Sequence, residues 1–260
     1  MVVVLEGGCC VVEAREGPPV RAGTLMAWHQ VGRAIGAEAI SLRILEFAPG
    51  LSPGIRNNAC DEVFYVFQGS EDCERRSTVF IDEWSYEIQP ETGIYLRPTE
   101  TLTINNPGPE PLVLISSQCP EALPASEFVP ALMAPLSQAA APQPPPVVRL
   151  ADRRAISTSD RWYRVLLDDE VGSTQVTQFV GSIPPGRAPD HFHNYEEVLF
   201  ILRGKGRMWS GKTYAPIAPG SCIYLPKAQI HCVENTAEDE LRLLGVFYPA
   251  GSPAVRYEVG

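Results

Sequence analysis

Apolar positions along this chain gather in short runs that glycine and proline keep interrupting. Ile40 to Phe47, Val63 to Phe67, Ile94 to Leu96 and Leu112 to Ser116 make one set; Val176 to Ser182, Val198 to Leu202, Ile223 to Leu225 and Leu241 to Phe247 make another. Runs of this length, rich in β-branched and aromatic residues and bounded by turn formers, predict an antiparallel all-β sandwich or barrel. Between the sets, from Pro120 to Pro146, the chain turns to proline and alanine, with prolines at 120, 124, 130, 135, 142, 144, 145 and 146. Proline has no N–H to give to a ladder, so this stretch predicts a connector, with one short helix around Ala131 to Ala139.

The two sets overlay. A constant shift of 135 carries Pro49 onto Pro184, Glu62-Val63 onto Glu197-Val198, Tyr65 onto Phe200 and Gly69 onto Gly204. Further on, Gly-Ile-Tyr-Leu-Arg-Pro at 93–98 matches Cys-Ile-Tyr-Leu-Pro at 222–226, and Asn106 stands opposite Asn235. The halves therefore read as one duplicated β-fold: an N-terminal barrel over 1–119, a connector over 120–148 and a C-terminal barrel over 149–260.

Composition narrows the partners. At 260 residues, 45% hydrophobic and 20% charged, the chain can bury cores without disulfide staples. Its 31 acidic against 21 basic side chains leave a formal charge of -10, which repels phosphate backbones and anionic headgroups. Neither nucleic acid nor a membrane is an expected partner. The seven cysteines (Cys9, Cys10, Cys60, Cys73, Cys119, Cys222, Cys232) are odd in number and lack CxxC spacing, which points to reduced thiols. The opening run Met1 to Leu5 has no basic lead and stops at Glu6, short of a signal or a span. A soluble, cytoplasmic protein, monomer or homodimer, is expected.

The candidate chemistry lies in the second half. His191-Phe192-His193 is followed by Glu197 and Gly204, and Gly220 leads on to Pro226, His231 and Asn235. Alternation along a strand puts His191 and His193 on one face, Glu197 can join them from the adjoining stretch, and His231 brings an imidazole from another strand. Neutral imidazoles with one carboxylate suit Fe(II), Mn(II), Ni(II), Cu(II) or Zn(II) and leave positions open for water or substrate. The remaining histidine, His29, lies outside this pattern and reads as an ordinary surface or core residue.

These residues resemble the two motifs of the cupin superfamily. The first, G-x5-HxH-x3,4-E-x6-G, is met by His191, His193, Glu197 and Gly204, with Gly186 one residue closer than usual. The second, G-x5-P-x-G-x2-H-x3-N, is met by Gly220, Pro226, His231 and Asn235, with Ala228 where glycine commonly sits. The resemblance implies two tandem jelly-roll barrels, a bicupin. It also implies one divalent transition metal per chain, on His191, His193, Glu197 and His231 in the second barrel.

The first half departs from the pattern. Counting at the same spacing from Glu62 puts Arg56 and Asn58 at the first two histidine positions, and Thr103 falls at the third. Arginine cannot ligate a metal, so a metal-free first barrel is expected, with Arg56 paired to Glu62. Cys232 is expected to pack away from the metal, Cys222 and Tyr224 to line either the pocket or the opposite sheet, and Asn235 to close a turn. Leu199 and Ile201 should give the pocket an apolar floor. Trp162, Tyr163, Arg164 and Gln178 are candidates for its mouth, and Glu71, Asp72, Glu74, Arg75 and Arg76 read as a solvated loop.

Fold and metal do not fix chemistry. The resemblance implies, first, a dioxygenase-like oxidation of a small enolisable or aromatic substrate, with Glu197 and His231 needed for catalysis. Two further readings stay open: non-redox hydrolysis or isomerisation, in an architecture comparable to ureidoglycine aminohydrolase, and small-molecule binding or storage without catalysis.

Overall fold

The computed structural model describes residues 1–70, 72, 75–121, 126–132, 142–158, 161–254 and 257–258. Its strands form four antiparallel sheets, a large and a small one for each of two jelly-roll barrels. Every apolar run becomes a strand. The first half supplies Leu42–Phe47, Asp61–Gln68, Thr92–Leu96 and Leu112–Cys119, and the second Thr177–Ile183, Glu196–Arg203, Cys222–Leu225 and Leu241–Tyr248. No described helix is long and apolar enough to cross a membrane.

These eight strands are buried along nearly their whole length because each has two apolar faces to satisfy. Phe64, Val66 and Leu114 point into the first barrel, and Leu199, Ile201 and Leu243 into the second. The alternate residues, Val63, Tyr65 and Ile115 from one large sheet and Val198, Phe200 and Val246 from the other, form a single cluster between the barrels. Phe67 meets Phe200 edge-on there, with centroids 4.9 Å apart. Burying a side chain of this kind is worth ~1.5–3 kcal/mol, so the two barrels stabilise one another.

Nor do the sheets respect boundaries at 119 and 149. Cys10–Val12 pairs with Cys222–Leu225, and Val2–Val4 adds beyond it, extending the large sheet of the second barrel. In exchange, Val147–Arg149 pairs with Thr92–Leu96 of the first. The connector also joins a ladder: Glu127–Val129, a stretch between prolines that keeps its N–H groups, pairs with Gly54–Arg56. Of the helix expected over Ala131 to Ala139, only Ala131 and Leu132 are described, and neither is helical. Within the charged run, Asp72 and Arg75 are exposed, and Glu71 and Glu74 lie outside the described residues.

Hydrogen bonds fix how the halves correspond. Asn106 Nδ2 donates to the carbonyls of Phe47 (3.0 Å) and Glu110 (2.9 Å), as Asn235 Nδ2 does to those of Ile183 (2.9 Å) and Asp239 (2.8 Å). Asn235 thus ties off a turn, as expected. The Thr99 N–H donates to the Asn57 carbonyl at 2.9 Å, and the Ala228 N–H to the His193 carbonyl at 2.7 Å. Both donors sit in the left-handed region, at φ 77° and 59°, which explains the glycine usual at this motif position. Finally, Ile55 pairs with Leu102 where His191 pairs with His231. The residues that match His191, His193 and His231 are therefore Ile55, Asn57 and Leu102. Arg56 and Asn58 are each one position off, because four residues separate Asn57 from Glu62 and only three separate His193 from Glu197; Thr103 is one off because three residues separate Pro98 from Leu102 and four separate Pro226 from His231.

Candidate metal centre

His191 opens the short strand His191–Phe192, His193 follows it, and His231 opens the neighbouring strand His231–Asn235. One ring nitrogen from each lies within 4.8 Å of the others, the one group found among the described residues that could hold a metal ion. Ring centroids stand 4.5 Å apart for His191 and His231, 4.9 Å for His191 and His193, and 5.3 Å for His193 and His231.

Two of the rings are oriented by their own backbone. His191 Nδ1 donates to the Pro189 carbonyl at 3.0 Å, and His231 Nδ1 to the Gln229 carbonyl at 2.8 Å. A carbonyl can only accept, so Nδ1 carries the proton and the lone pair sits on Nε2, the tautomer a metal requires. Burial, reinforced by the nearby His191, pushes the His231 imidazole down to about 3, which keeps it neutral. Nitrogen donors of this kind fit a divalent transition metal.

Glu197 stands beside the triad, its Oε2 3.6 Å from His193 Nε2. The structure thus gathers three of the four expected ligands into one mutually close group and sets the fourth against one of them. The surroundings of Glu197 are apolar: Phe247 is its cross-strand neighbour, and Phe179 shares the pocket wall. Gly245 is needed there, since a Cβ on it would come within 2.3 Å of the Phe179 ring. Burial pushes the Glu197 carboxyl up to about 8.

The histidines open on a pocket of about 730 Å³, a volume that includes solvent at its mouth. Leu199, Phe179, Ile183 and Leu243 give it an apolar wall in which Trp162 and Tyr163 also stand, while Ile201, expected in its floor, lies in the barrel core outside the lining. Arg164 and Gln178 lie elsewhere: Arg164 Nη1 donates to the Leu150 carbonyl at 3.0 Å, and buried Gln178 approaches Gly93 of the other barrel. Sequence reasoning missed Arg161, the guanidinium in the pocket wall, and Tyr195, an aromatic standing between two motif residues. The second could have been suspected from its place between His193 and Glu197; the first carries no sequence signal.

The remaining expectations resolve by strand parity. Cys222 and Tyr224 face the first barrel in the shared cluster, not the pocket. Cys232 points away from His231 and accepts a hydrogen bond from Arg187 Nε at 3.2 Å; burial pushes its thiol up to about 11. His29 pairs with Glu121 at 3.1 Å, far from this group in the fold of the first barrel. The six described cysteines are free.

Comparison with known proteins agrees with this fold. Residues 179–247 match the family model of the cupin domain. The chain is 30% identical over 83 residues to auxin-binding protein 1 of Arabidopsis thaliana, covering 28% of this chain and 42% of that protein. It is also 30% identical over 87 residues to an uncharacterized protein of Aquifex aeolicus (strain VF5), covering 32% of this chain and 70% of that one. Among solved structures, a variant of Bacillus subtilis oxalate decarboxylase superposes with a TM-score of 0.72 at 14% identity, over 93% of this chain and 77% of that one. The protein Ylba from E. coli does so with a TM-score of 0.72 at 14% identity, over 98% and 96%. Likeness at this identity speaks for the fold.

Proposed function

The chain belongs to the cupin superfamily as a two-barrel member, and from that premise we propose that its second barrel is a mononuclear-metal, dioxygenase-like enzyme acting on a small enolisable or aromatic substrate. The observation that carries this reading is the group of three close histidine nitrogens, beside Glu197, at an apolar-walled pocket open to solvent. The duplicate barrel has two hydrocarbon side chains, Ile55 and Leu102, at the positions of His191 and His231, so one ion per chain is expected.

In this reading His191, His193 and His231 hold the ion, and Glu197 completes the set from Oε2. A divalent transition metal bound there supplies a Lewis acid and, if redox-active, a route for electrons to O2. The protein's part is to bind and exclude. Leu199, Phe179 and Leu243 take up an apolar substrate body and keep bulk water from the reacting atoms. The backbone carbonyls of Pro189 and Gln229 hold two imidazoles at fixed angles. Placing substrate and co-substrate side by side turns a bimolecular encounter into an effectively unimolecular one. Glu197 can accept a proton from an enolisable substrate at a carboxylate oxygen, so Glu197 and His231 are the residues assigned to catalysis.

The test pairs elemental analysis with O2 uptake. Metal-loaded protein should bind about one ion per chain, and His191→Ala with His193→Ala should bind none. Against a panel of enolisable and aromatic compounds, O2 consumption supports the oxidative reading. Turnover without O2 uptake would replace it with hydrolysis or isomerisation. The likeness to a protein named for binding auxin favours a second reading, ligand binding without turnover, and saturable binding with no product would establish it.

A further inference from the structure

We propose that Tyr195 is a positioning residue: its ring sets the plane of the His193 imidazole and so aims the nitrogen that faces the other two histidines. The inference rests on the metal-site reading above and concerns how this chain keeps one ligand in place. His191 and His231 are each braced by a carbonyl two residues earlier in the chain, those of Pro189 and Gln229. His193 has a different kind of brace. Its ring lies nearly parallel to that of Tyr195, with 10° between the planes and 4.8 Å between centroids. Offset-parallel packing of this kind restricts rotation about the outer torsion of a histidine side chain, which is otherwise broad.

A brace works only if it is itself held. Tyr195 stacks in turn on Phe247, at 4.4 Å and 20°, and Phe247 is fully buried on a central strand of the large sheet. Behind both rings runs Gly251, where an added Cβ would sit 3.4 Å from the Phe247 ring and 3.9 Å from that of Tyr195. Gly251 is clamped on both sides by Thr177, whose hydroxyl donates to its carbonyl at 3.0 Å and accepts from its N–H at 3.1 Å. The contacts run without a break from the core of the barrel to the ligand. They are also particular to this barrel. In the first, Asn57 takes the place of His193 and Gln118 that of Phe247, and Asn57 Nδ2 donates to Cys60 Sγ at 2.6 Å instead of meeting a ring. The stack is found where the histidines are found.

The experiment compares wild type, Tyr195→Phe and Tyr195→Leu in the full chain stripped of metal. Co2+ affinity is read by competition with a chromophoric chelator, the Co2+ d–d absorption bands by titration, and the melting of the metal-free protein separately. Losing a partner that orients a ligand weakens metal binding by ~10–100-fold, and for a ring contact the lower end, about tenfold, is expected in Tyr195→Leu. Its d–d bands should shift, while Tyr195→Phe, which keeps the ring, should match wild type within about twofold in affinity. Should Tyr195→Leu fail to fold, Tyr195→Met fills the space without a ring and is read in the same way. A folded Leu or Met variant with wild-type affinity and spectrum overturns the inference and leaves the metal site standing. A Phe variant as weak as the Leu variant also overturns it, since the hydroxyl would then be the operative group. Wild-type protein that binds no Co2+ overturns the metal reading and the inference with it.

Discussion

Glu62 and Glu197 occupy the same place in two copies of one barrel and lead different lives. Each is buried; Glu62 pairs across its sheet with Leu96 and Gln118, and Glu197 with Leu225 and Phe247. Around Glu62 the first barrel supplies polar partners. Arg43 Nη2 and the Ser116 hydroxyl both donate to its Oε1, and Gln118 Nε2 donates to Oε2 at 3.2 Å. At the three matching positions the second barrel has Phe179, Gly245 and Phe247, none of which can donate from its side chain. The first barrel has satisfied its carboxylate internally and has Ile55 and Leu102 at two of its three histidine positions. The second has left its carboxylate without a guanidinium beside it, against the His193 imidazole. A buried carboxyl that the protein does not neutralise is suited to meeting a cation from outside. The lesson is that the two barrels differ in more than histidine count: where the histidines are absent, the buried carboxylate has polar partners of its own.

The largest test of this contrast is at Arg43. Arg43→Leu leaves the Glu62 carboxylate buried without its counter-charge, and the expected loss of stability is about 3–5 kcal/mol. Adding Glu62→Leu should restore most of it, because replacing both members of a buried pair by hydrocarbon is often neutral. Denaturant unfolding of the single and double variants checks this. If Arg43→Leu alone costs less than about 1 kcal/mol, water is solvating Glu62 and the two carboxylates are not opposites.

A somewhat smaller effect is expected at Glu197, and only without metal. Its folded-state value near 8 lies above the ordinary 4.5, so the folded protein holds a proton that the unfolded chain gives up between those values. The stability contributed by the protonated form is complete below about pH 4.5 and is lost as pH rises through about 8. Metal-stripped wild type should therefore weaken relative to Glu197→Gln between pH 5 and 9, by on the order of 3 kcal/mol. At pH 5 the two should nearly coincide. Saturating Co2+ should reverse the order at pH 8, since the ion favours the ionised carboxylate. A gap between the two proteins that stays flat from pH 5 to pH 9 would show that Glu197 sits in water, and the asymmetry between the barrels would reduce to ligand count.

How much of this was open to sequence reasoning turns on register. Each of the eight apolar runs is a strand, because fully buried strands write their identity as unbroken Val, Ile, Leu and Phe, while strands with partly exposed residues such as Leu25–Val31 and Ser77–Ile81 went unread. The second-barrel histidines were legible for a similar reason: alternation and spacing within one short stretch are local properties. The first-barrel site was misread by one position. A shift of 135 holds from Glu62 to Gly69, but the ladder pairing puts Ile55, not Arg56, opposite Leu102. One extra residue between Asn57 and Glu62 is enough, since a single-residue slip turns every side chain to the other face of a strand. A second, larger slip of the same origin follows: seven residues separate Gly69 from Ser77 where Lys205 alone separates Gly204 from Gly206. Arg43 was overlooked because it lies far from either motif. Yet a charge at the second position of Leu42–Phe47, a strand on which only Glu46 is partly exposed, called for a buried partner of opposite sign. The strand exchange between barrels left a fainter mark still, because short edge strands such as Cys10–Val12 and Val147–Arg149 do not reveal which sheet they will join.

The smallest expected effect sharpens the comparison most. The gap-free alignment made Arg56 the partner of Glu62, and on that account Arg56→Ala would strand a buried charge and cost as much as losing Arg43. The structure places Arg56 half-buried, facing away from the barrel interior, with Nε donating to the Thr101 hydroxyl at 3.1 Å. Thr101 is also its partner in the ladder, so that bond is local and braces one strand pair. Removing a hydrogen bond of this kind, with water at hand to replace it, costs ~0.5–1.5 kcal/mol. Arg56→Ala is therefore expected to lower stability by about 1 kcal/mol or less, and Arg56→Ala with Glu62→Gln to show no coupling beyond about 0.5 kcal/mol, the level at which independent sites add. Arg43→Leu with Glu62→Gln should couple strongly in the same measurement. If the two arginines exchange these behaviours, Arg56 faces inward after all, Ile55 does not replace His191, and the correspondence between the barrels has to be redrawn.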